Sequence, residues 1–291
     1  MNHGTEKLGA ATFSIIANIF LMTIKVAVAI LTGSLGIFAE FMHSLLDLLA
    51  SIFAYLGIKK ADEPADETHH YGHDKFENVS SLIQMLLIAI TSFVIFWVAG
   101  GKLLAGGHEV KESWLGIVVL IVTLGVDFLI ARFLAEKGKK THSTALESDS
   151  MHFSTDLYST AAALTGVIFA SFGFPIMDAI AALVIAAIML WLSIKMSFSA
   201  FAVIIDTAPD KKVLAQLKED IRNYPGVMDY HSLRARVAGK KLFIDLCVHL
   251  DPNLNLTQAH AISEGLKKEL KKKEDVKEVV IHIEPFIPNH E

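Results

Sequence analysis

Six long apolar stretches occupy the first 205 residues of the chain, running roughly over 8–31, 36–59, 78–104, 113–135, 148–172 and 176–204. The hydrocarbon core of a bilayer takes about 20 apolar residues per helix. A chain crossing it must satisfy its own backbone polar groups, which a helix does. The pattern therefore predicts six transmembrane helices. Hydrophobic residues make up 53% of the 291 positions, too many for an ordinary soluble chain, and the excess is confined to 1–205. The first stretch is long and lacks a small-residue cleavage site, so it reads as a retained span.

Charge sets the expected orientation. The turns Thr32-Gly33-Ser34-Leu35-Gly36 and Phe172-Gly173-Phe174-Pro175 carry none. Lys59, Lys60 and Lys75 flank the second connection, Arg132, Lys137, Lys139 and Lys140 follow the fourth span, and Lys211 and Lys212 follow the sixth. The third connection offsets Lys102 and Lys111 with Glu109 and Glu112, and Gly100, Gly101, Gly106 and Gly107 suggest a loose outer loop. By the positive-inside rule both termini are cytoplasmic. The membrane is the plasma (inner) membrane if the host is a prokaryote.

Composition changes near Asp206, which predicts two domains, 1–205 in the membrane and 206–291 as a charged cytoplasmic tail. In the tail, 210–223 reads as an amphipathic helix ended by Pro225-Gly226. Residues 229–238 and 241–250 read as strands joined at Gly239-Lys240. Residues 256–273 read as a helix capped by Asn255 or Thr257, with a lysine-rich end that suits the helix dipole. Residues 276–284 read as a last strand. The order αββαβ implies a small α+β open sheet, ferredoxin- or metallochaperone-like, with both helices on one face.

Two motifs carry chemistry. His43-Ser44-Leu45-Leu46-Asp47 lies in the second span and His152-Phe153-Ser154-Thr155-Asp156 in the fifth. Residues i and i+4 share a helix face, so each motif presents an imidazole and a carboxylate in one direction. Charged groups in mid-membrane cost roughly 2.5–3.5 kcal/mol each on insertion scales. One such motif reads as a polar helix interface; two on separate spans favour four ligands around one divalent cation. Nitrogen and carboxylate donors suit tetrahedral Zn²⁺, Mg²⁺ and Ca²⁺ want more oxygens, and other late divalent metals remain compatible. Metal binding expels protons from imidazole and carboxylate, and histidine titrates near neutral pH, so the site can exchange metal for protons.

Other classes fit less well. No nucleophile–base set, phosphate loop or His-Glu-x-x-His motif is present, which argues against an enzyme. A net charge of −5 does not suggest nucleic-acid binding, and the single cysteine, Cys247, excludes an intrachain disulfide. A membrane-bound metal sensor without transport is the rival from another class.

Between the second and third spans, ADEPADETHHYGHDKFE places Asp66, His69, His70, His73 and Asp74 close together, a plausible surface metal site. In the tail, period-two alternation puts Leu242, Ile244, Leu246, Val248 and Leu250 on one face of a strand, with Asp245, Cys247 and His249 on the other. Val279, Ile281 and Ile283 face inward on the last strand, leaving His282 and Glu284 outward. Cys247, His282 and Glu284 can thus share a sheet face. His231 has the parity of Leu233, Ala235 and Val237 and reaches that face only if it precedes the regular strand. Lys25 reads as snorkelling from the first span, Asp127 as pairing or pathway-lining, and Asp178 as a cap of the sixth.

The chain resembles the cation diffusion facilitator family of zinc transporters and metal/proton antiporters. The resemblance rests on Thr32-Gly33-Ser34, on Glu40 to Asp47, on Asp149 to Asp156, and on six spans followed by an αββαβ tail. It implies that His43, Asp47, His152 and Asp156 form the transport site of a homodimer that moves Zn²⁺ out of the cytosol by alternating access. A His at position 43, where some relatives carry Asp, resembles the zinc-selective members; Fe²⁺, Co²⁺, Cd²⁺ or Mn²⁺ are the alternative substrates. Through Tyr71-Gly72-His73-Asp74-Lys75 the resemblance assigns a loop zinc to Asp66, His69 and His73, with His70 and Asp74 as neighbours. It maps a structural or regulatory tail zinc onto His231, Cys247, His260, His282 and Glu284, with Cys247 where relatives often carry His. It also implies that Lys75 and Asp206 form a pair that holds the dimer together.

Overall fold

The computed structural model describes residues 3–32, 35–104, 114–171, 176–239, 241–273 and 275–287. Within these, the side chains at 3, 28–29, 31–32, 35–43, 46, 102, 114–116, 119, 159, 162–163, 166–168, 170–171, 176–179 and 181 are not described. The turn residues 33–34 and 172–175, with Gly106, Gly107, Glu109, Lys111 and Glu112, therefore lie outside the described residues, as do the side chains of His43, Lys102 and Asp178.

Residues Met1–Phe201 form one compact unit and Ala202–Glu291 another. The first is built from six helices: α1 (His3–Thr32), α2 (Leu35–Ala61), α3 (Lys75–Leu104), α4 (Trp114–Thr141), α5 (Thr144–Ser171) and α6 (Ile176–Ile204). Each is long enough to cross a bilayer at 1.5 Å per residue. The stretches Gly4–Ala27, Lys75–Gly101 and Ala182–Ile204 are by themselves both long and apolar enough to do so. Gly100 and Gly101, expected with the outer loop, are helical within α3. Helix α5 carries Glu147, Asp149 and Asp156 in its first half, and it is shielded there, since nine of the twelve residues 145–156 are buried.

Small side chains let these helices approach. Ala10 and Ala11 of α1, Ala54 of α2, Ala131 of α4 and Ala145 of α5 join Ile58, Ile130, Leu134, Leu146 and Phe153 in one buried cluster. In lipid, such close packing replaces the hydrophobic drive of water. Gly57 of α2 faces Ser80 of α3 so closely that a Cβ there would overlap the serine. Ser80 uses the proximity to donate to the Phe53 carbonyl at 2.6 Å. At one end of the bundle, Glu6 of α1 accepts from Lys137 at 2.6 Å and from Lys140 at 2.9 Å of α4. Beside it Lys7 pairs at 2.9 Å with the buried Glu77 of α3. Glu77 also accepts from the Thr144 backbone N–H at 3.1 Å, one of the orphan donors at the start of α5.

The second unit runs α7 (Lys211–Arg222), β1 (Asp229–Ala238), β2 (Lys241–Leu250), α8 (Leu256–Lys271) and β3 (Val276–Pro285). Its sheet has the order β1-β2-β3, with β1 antiparallel and β3 parallel to β2. The parallel pairing requires a crossover, and α8 supplies it. Asn255 caps α8: its side chain accepts from Gln258 N at 2.9 Å while Gln258 returns an acceptor to Asn255 N at 3.0 Å. Leu217 and Ile221 of α7 and Leu266 and Leu270 of α8 pack on Leu242, Ile244, Leu246, Val248 and Leu250 of β2 and on Val276 and Val279 of β3. The face of β2 bearing Cys247 lies on the other side of the sheet.

One irregularity matters for chemistry. Register partners run His231↔Cys247 and then Arg234↔Asp245, so β1 carries one extra residue between them. Ser232, with φ of 52°, takes up this bulge. The insertion reverses side-chain parity, which places His231 on the face of Cys247 while Leu233, Ala235 and Val237 pack against the core.

Candidate metal centres

In the helical unit, Asp47 of α2 and His152 of α5 meet, with His152 Nε2 3.0 Å from Asp47 Oδ1. They are 4% and 2% exposed, and Asp156, one turn further along α5, is 9% exposed. Donor atoms of these three lie within 4.8 Å of one another. His43 stands one turn before Asp47 on α2; its side chain lies outside the described residues. Buried charge is tolerated only when paired and hydrogen-bonded, and the surroundings are polar. Asn18 of α1 donates to the Asp47 carbonyl at 3.5 Å. Lys25, expected to snorkel, is instead only 5% exposed and donates to Ser44 at 2.8 Å. Asp127 on α4 is buried as well. Sequence reasoning gave no role of its own to Asp149, which is fully buried three residues before His152, and passed over Ser14, Asn18 and Ser51. Extending the one-turn spacing from His152 and Asp47 would have found Asp149 and Ser51.

The connection between α2 and α3 is folded around Asp66. Its Oδ1 accepts from His69 N at 2.6 Å, Thr68 N at 2.9 Å and Thr68 Oγ1 at 2.9 Å. The His69 amide, then the Thr68 hydroxyl, hold its carboxyl well below the usual carboxylate range. Gly72, at φ of 90°, turns the chain so that His73 comes back against the same carboxylate. His73 Nδ1 donates to the Pro64 carbonyl at 3.1 Å, and its Nε2 lies 3.3 Å from Asp66 Oδ2. That buried Nε2 makes no hydrogen bond among the described residues. The His69 ring lies against that of His73, tilted by 43° with 4.4 Å between centroids, and the donors of Asp66, His69 and His73 lie within 4.8 Å of one another. His70 donates instead to the Glu67 carbonyl at 3.1 Å and stands outside the group, as does Asp74.

On the outer sheet face, His231, Cys247, His249 and Glu284 bring their donors within 4.8 Å. Glu284 Oε2 lies 3.3 Å from the Nε2 atoms of both His231 and His249. The His231 side chain, then Cys247 and His249, lower the Glu284 carboxyl below its ordinary range. Burial, reinforced by the Glu284 carboxylate, pushes the Cys247 thiol up to about 11. Sulfur, two imidazoles and a carboxylate match the donor set of zinc.

Two residues of the expected tail set stand outside this group. His260 lies on α8, which packs on the opposite side of the sheet. His282 is register partner to Cys247, but its side chain turns out to solvent at 73% exposure and lies 3.4 Å from Glu284. His249, absent from the expected set, takes part; it shares the parity of Cys247, so alternation held that signal. Asp206, at φ of 60°, accepts from Arg236 at 3.2 Å, and Lys75 opens α3.

A family profile described as the cation efflux transmembrane domain matches residues 11–205, and one described as the cation efflux protein, cytoplasmic domain, matches 209–286. The cation-efflux pump FieF of Shewanella oneidensis is 32% identical over 280 residues, covering 95% of this chain and 93% of that protein. FieF of Cronobacter sakazakii is 30% identical over 288 residues, covering 98% and 95%. An uncharacterized transporter of Methanocaldococcus jannaschii is 28% identical over 272 residues, covering 93% and 95%. Among solved structures, the cytosolic domain of a cation diffusion facilitator family protein is 28% identical, covers 26% of this chain and 90% of that one, and has a TM-score of 0.24.

Proposed function

The chain belongs to the cation diffusion facilitator family of cation-efflux transporters, and from that premise we propose that it exports Zn²⁺ from the cytosol in exchange for protons. The observation that carries the reading is the buried meeting of Asp47, His152 and Asp156 from two membrane helices. His43, on the helix turn before Asp47, completes a four-donor site. Two imidazoles and two carboxylates favour zinc over Mg²⁺ or Ca²⁺.

The same groups account for exchange. Without metal, the buried imidazole and carboxylates hold protons between them, a reading that the 3.0 Å contact of His152 with Asp47 supports. Zinc arriving from the cytosol displaces those protons, and protons arriving from the far side displace zinc. Alternating exposure of one site to the two sides converts this competition into antiport.

Both termini lie in the cytosol in this reading. The loop group of Asp66, His69 and His73 gathers zinc at the cytosolic mouth. The tail group braces a homodimer through a bound zinc, and Lys75 and Asp206 hold its two halves together. Zinc flux into proteoliposomes under an imposed pH gradient tests the proposal. Flux that follows the gradient in wild type and vanishes in Asp156→Ala is expected. Flux indifferent to the gradient would remove proton coupling, and tight binding without flux would replace the transporter by a sensor.

A further inference from the structure

Toward the end of the bundle where Glu6, Lys7 and Glu77 pair, a second polar cluster lies one helical turn from the metal donors. Ser14 Oγ of α1 lies 2.8 Å from Ser51 Oγ of α2. Ser51 donates to Asp149 Oδ1 of α5 at 2.9 Å. Asn18 of α1 donates to Ser51 at 2.8 Å and reaches the Asp47 carbonyl at 3.5 Å. Ser14, Ser51 and Asp149 are fully buried and Asn18 is 2% exposed. Asp149 precedes His152 by three residues, about 4.5 Å along the axis, and Ser51 follows Asp47 by four, about 6 Å.

The cluster is more than packing requires. Serines and an asparagine suffice to bond three helices together. Asp149 adds a carboxylate, and its Oδ2 has no hydrogen-bond partner among the described residues. A buried carboxylate oxygen left so is costly, and an asparagine in its place would offer the same acceptor to Ser51 without the charge. An ionisable carboxyl kept at this place, with one oxygen unpartnered among the described residues, points to a cation.

We propose that Asp149, with the hydroxyls of Ser14 and Ser51, is a second cation station, through which the divalent metal passes between the cytosol and the Asp47–His152–Asp156 site; Asn18, whose Nδ2 donates to Ser51, orients that hydroxyl. The proposal rests on the transport reading above. Every donor here is oxygen. The station therefore holds the metal as a partly hydrated ion, less tightly and less selectively than the imidazole site. Two divalent ions a helical turn apart repel strongly in a low dielectric. The station consequently empties as the transport site fills, and it serves passage rather than storage.

Asp149→Asn is the direct test, since the amide keeps the shape and the acceptor for Ser51. Zinc association and dissociation are followed by stopped flow with a zinc indicator, on the full-length protein in detergent. Asp66→Ala, His73→Ala, Cys247→Ala and Glu284→Gln are combined as a common background to silence loop and tail. A passage station predicts that Asp149→Asn slows association and dissociation together by about 10-fold, the low end of what focused charge adds to on-rates, and leaves their ratio nearly unchanged. Asp149→Glu restores part of both rates. Unchanged rates overturn the station. A weakened equilibrium affinity with faster dissociation alone also overturns it and makes Asp149 a positioning residue for His152. If Asp149→Asn does not fold, Ser14→Ala carries the same test, with a smaller slowing of both rates expected and none overturning. Wild-type zinc flux is measured alongside. Its absence would defeat the transport reading, whereas normal flux with unaltered kinetics in the variant would defeat the station alone.

Discussion

Asp47 and His152, 105 residues apart in the chain, face each other at 3.0 Å between two membrane helices. Each supplies the other's hydrogen-bond partner in a buried site, and each offers the same atom to a metal. In the proposed antiporter, structure and transport therefore draw on one contact, and substitutions can separate them. Asp47→Asn keeps an oxygen for the imidazole and removes the charge. It should abolish zinc flux while leaving thermal unfolding in detergent nearly unchanged. Asp47→Ala strands the buried imidazole and should cost about 3 kcal/mol of stability as well. Flux assays beside unfolding curves distinguish the two.

The loop separates turn from ligand in the same way. Asp66 accepts from His69 N, Thr68 N and Thr68 Oγ1 through Oδ1, and Oδ2 faces His73. Asp66→Asn should keep the turn and weaken loop zinc affinity by about 10-fold or more. Asp66→Ala should lose both. Zinc titration calorimetry reads the affinity, and hydrogen exchange at His69 reads the turn.

Tail zinc should depend on His249 and not on His260. His249→Ala removes a donor 3.3 Å from Glu284 and should weaken binding at least as much as His231→Ala. His260→Ala changes a residue on the far side of the sheet and should leave that affinity unaltered. Calorimetry on the dimer and on diluted protein tests whether His260 or His282 contributes only through a second chain.

The raised thiol of Cys247 has a pH signature. Its folded value of about 11 exceeds the ordinary 9.0, so between these values the metal-free folded tail binds more protons than the unfolded chain. This contribution to stability is fully present below about pH 9 and is lost as pH rises through about 11. Chemical denaturation of the metal-free protein across that window should show the loss, and Cys247→Ala should flatten it. Near pH 7 the thiol is protonated, so zinc binding to wild type should release about one proton more than binding to Cys247→Ala. Calorimetry in buffers of different ionisation enthalpy counts it.

Legibility in the sequence followed the range of the physical signal. Apolar runs gave the six helices, alternation gave the strands, and the spacing of His152 to Asp156 placed two donors on one face. Ser14 and Asn18 gave no such signal, because their partners lie on α2 and α5 and a hydroxyl in an apolar run is tolerated without one. Lys25 looked like a snorkelling side chain because nothing local announces Ser44 as its acceptor. His260 was grouped with the sheet residues although its helix covers the opposite face, a relation set by the tail's core. The side of β1 on which His231 emerges depends on Ser232 adopting positive φ, and alternation carries no sign of that.

The bulge at Ser232 also bears on how such a site can arise. A single inserted codon in β1 is enough to carry an existing histidine from the packed face to the face of Cys247 and Glu284, without altering any donor. Loss of that codon would silence the site just as abruptly. Two chains with the same histidine, cysteine and glutamate could then differ in metal binding through one gap in their alignment, and counting shared ligands would miss the change.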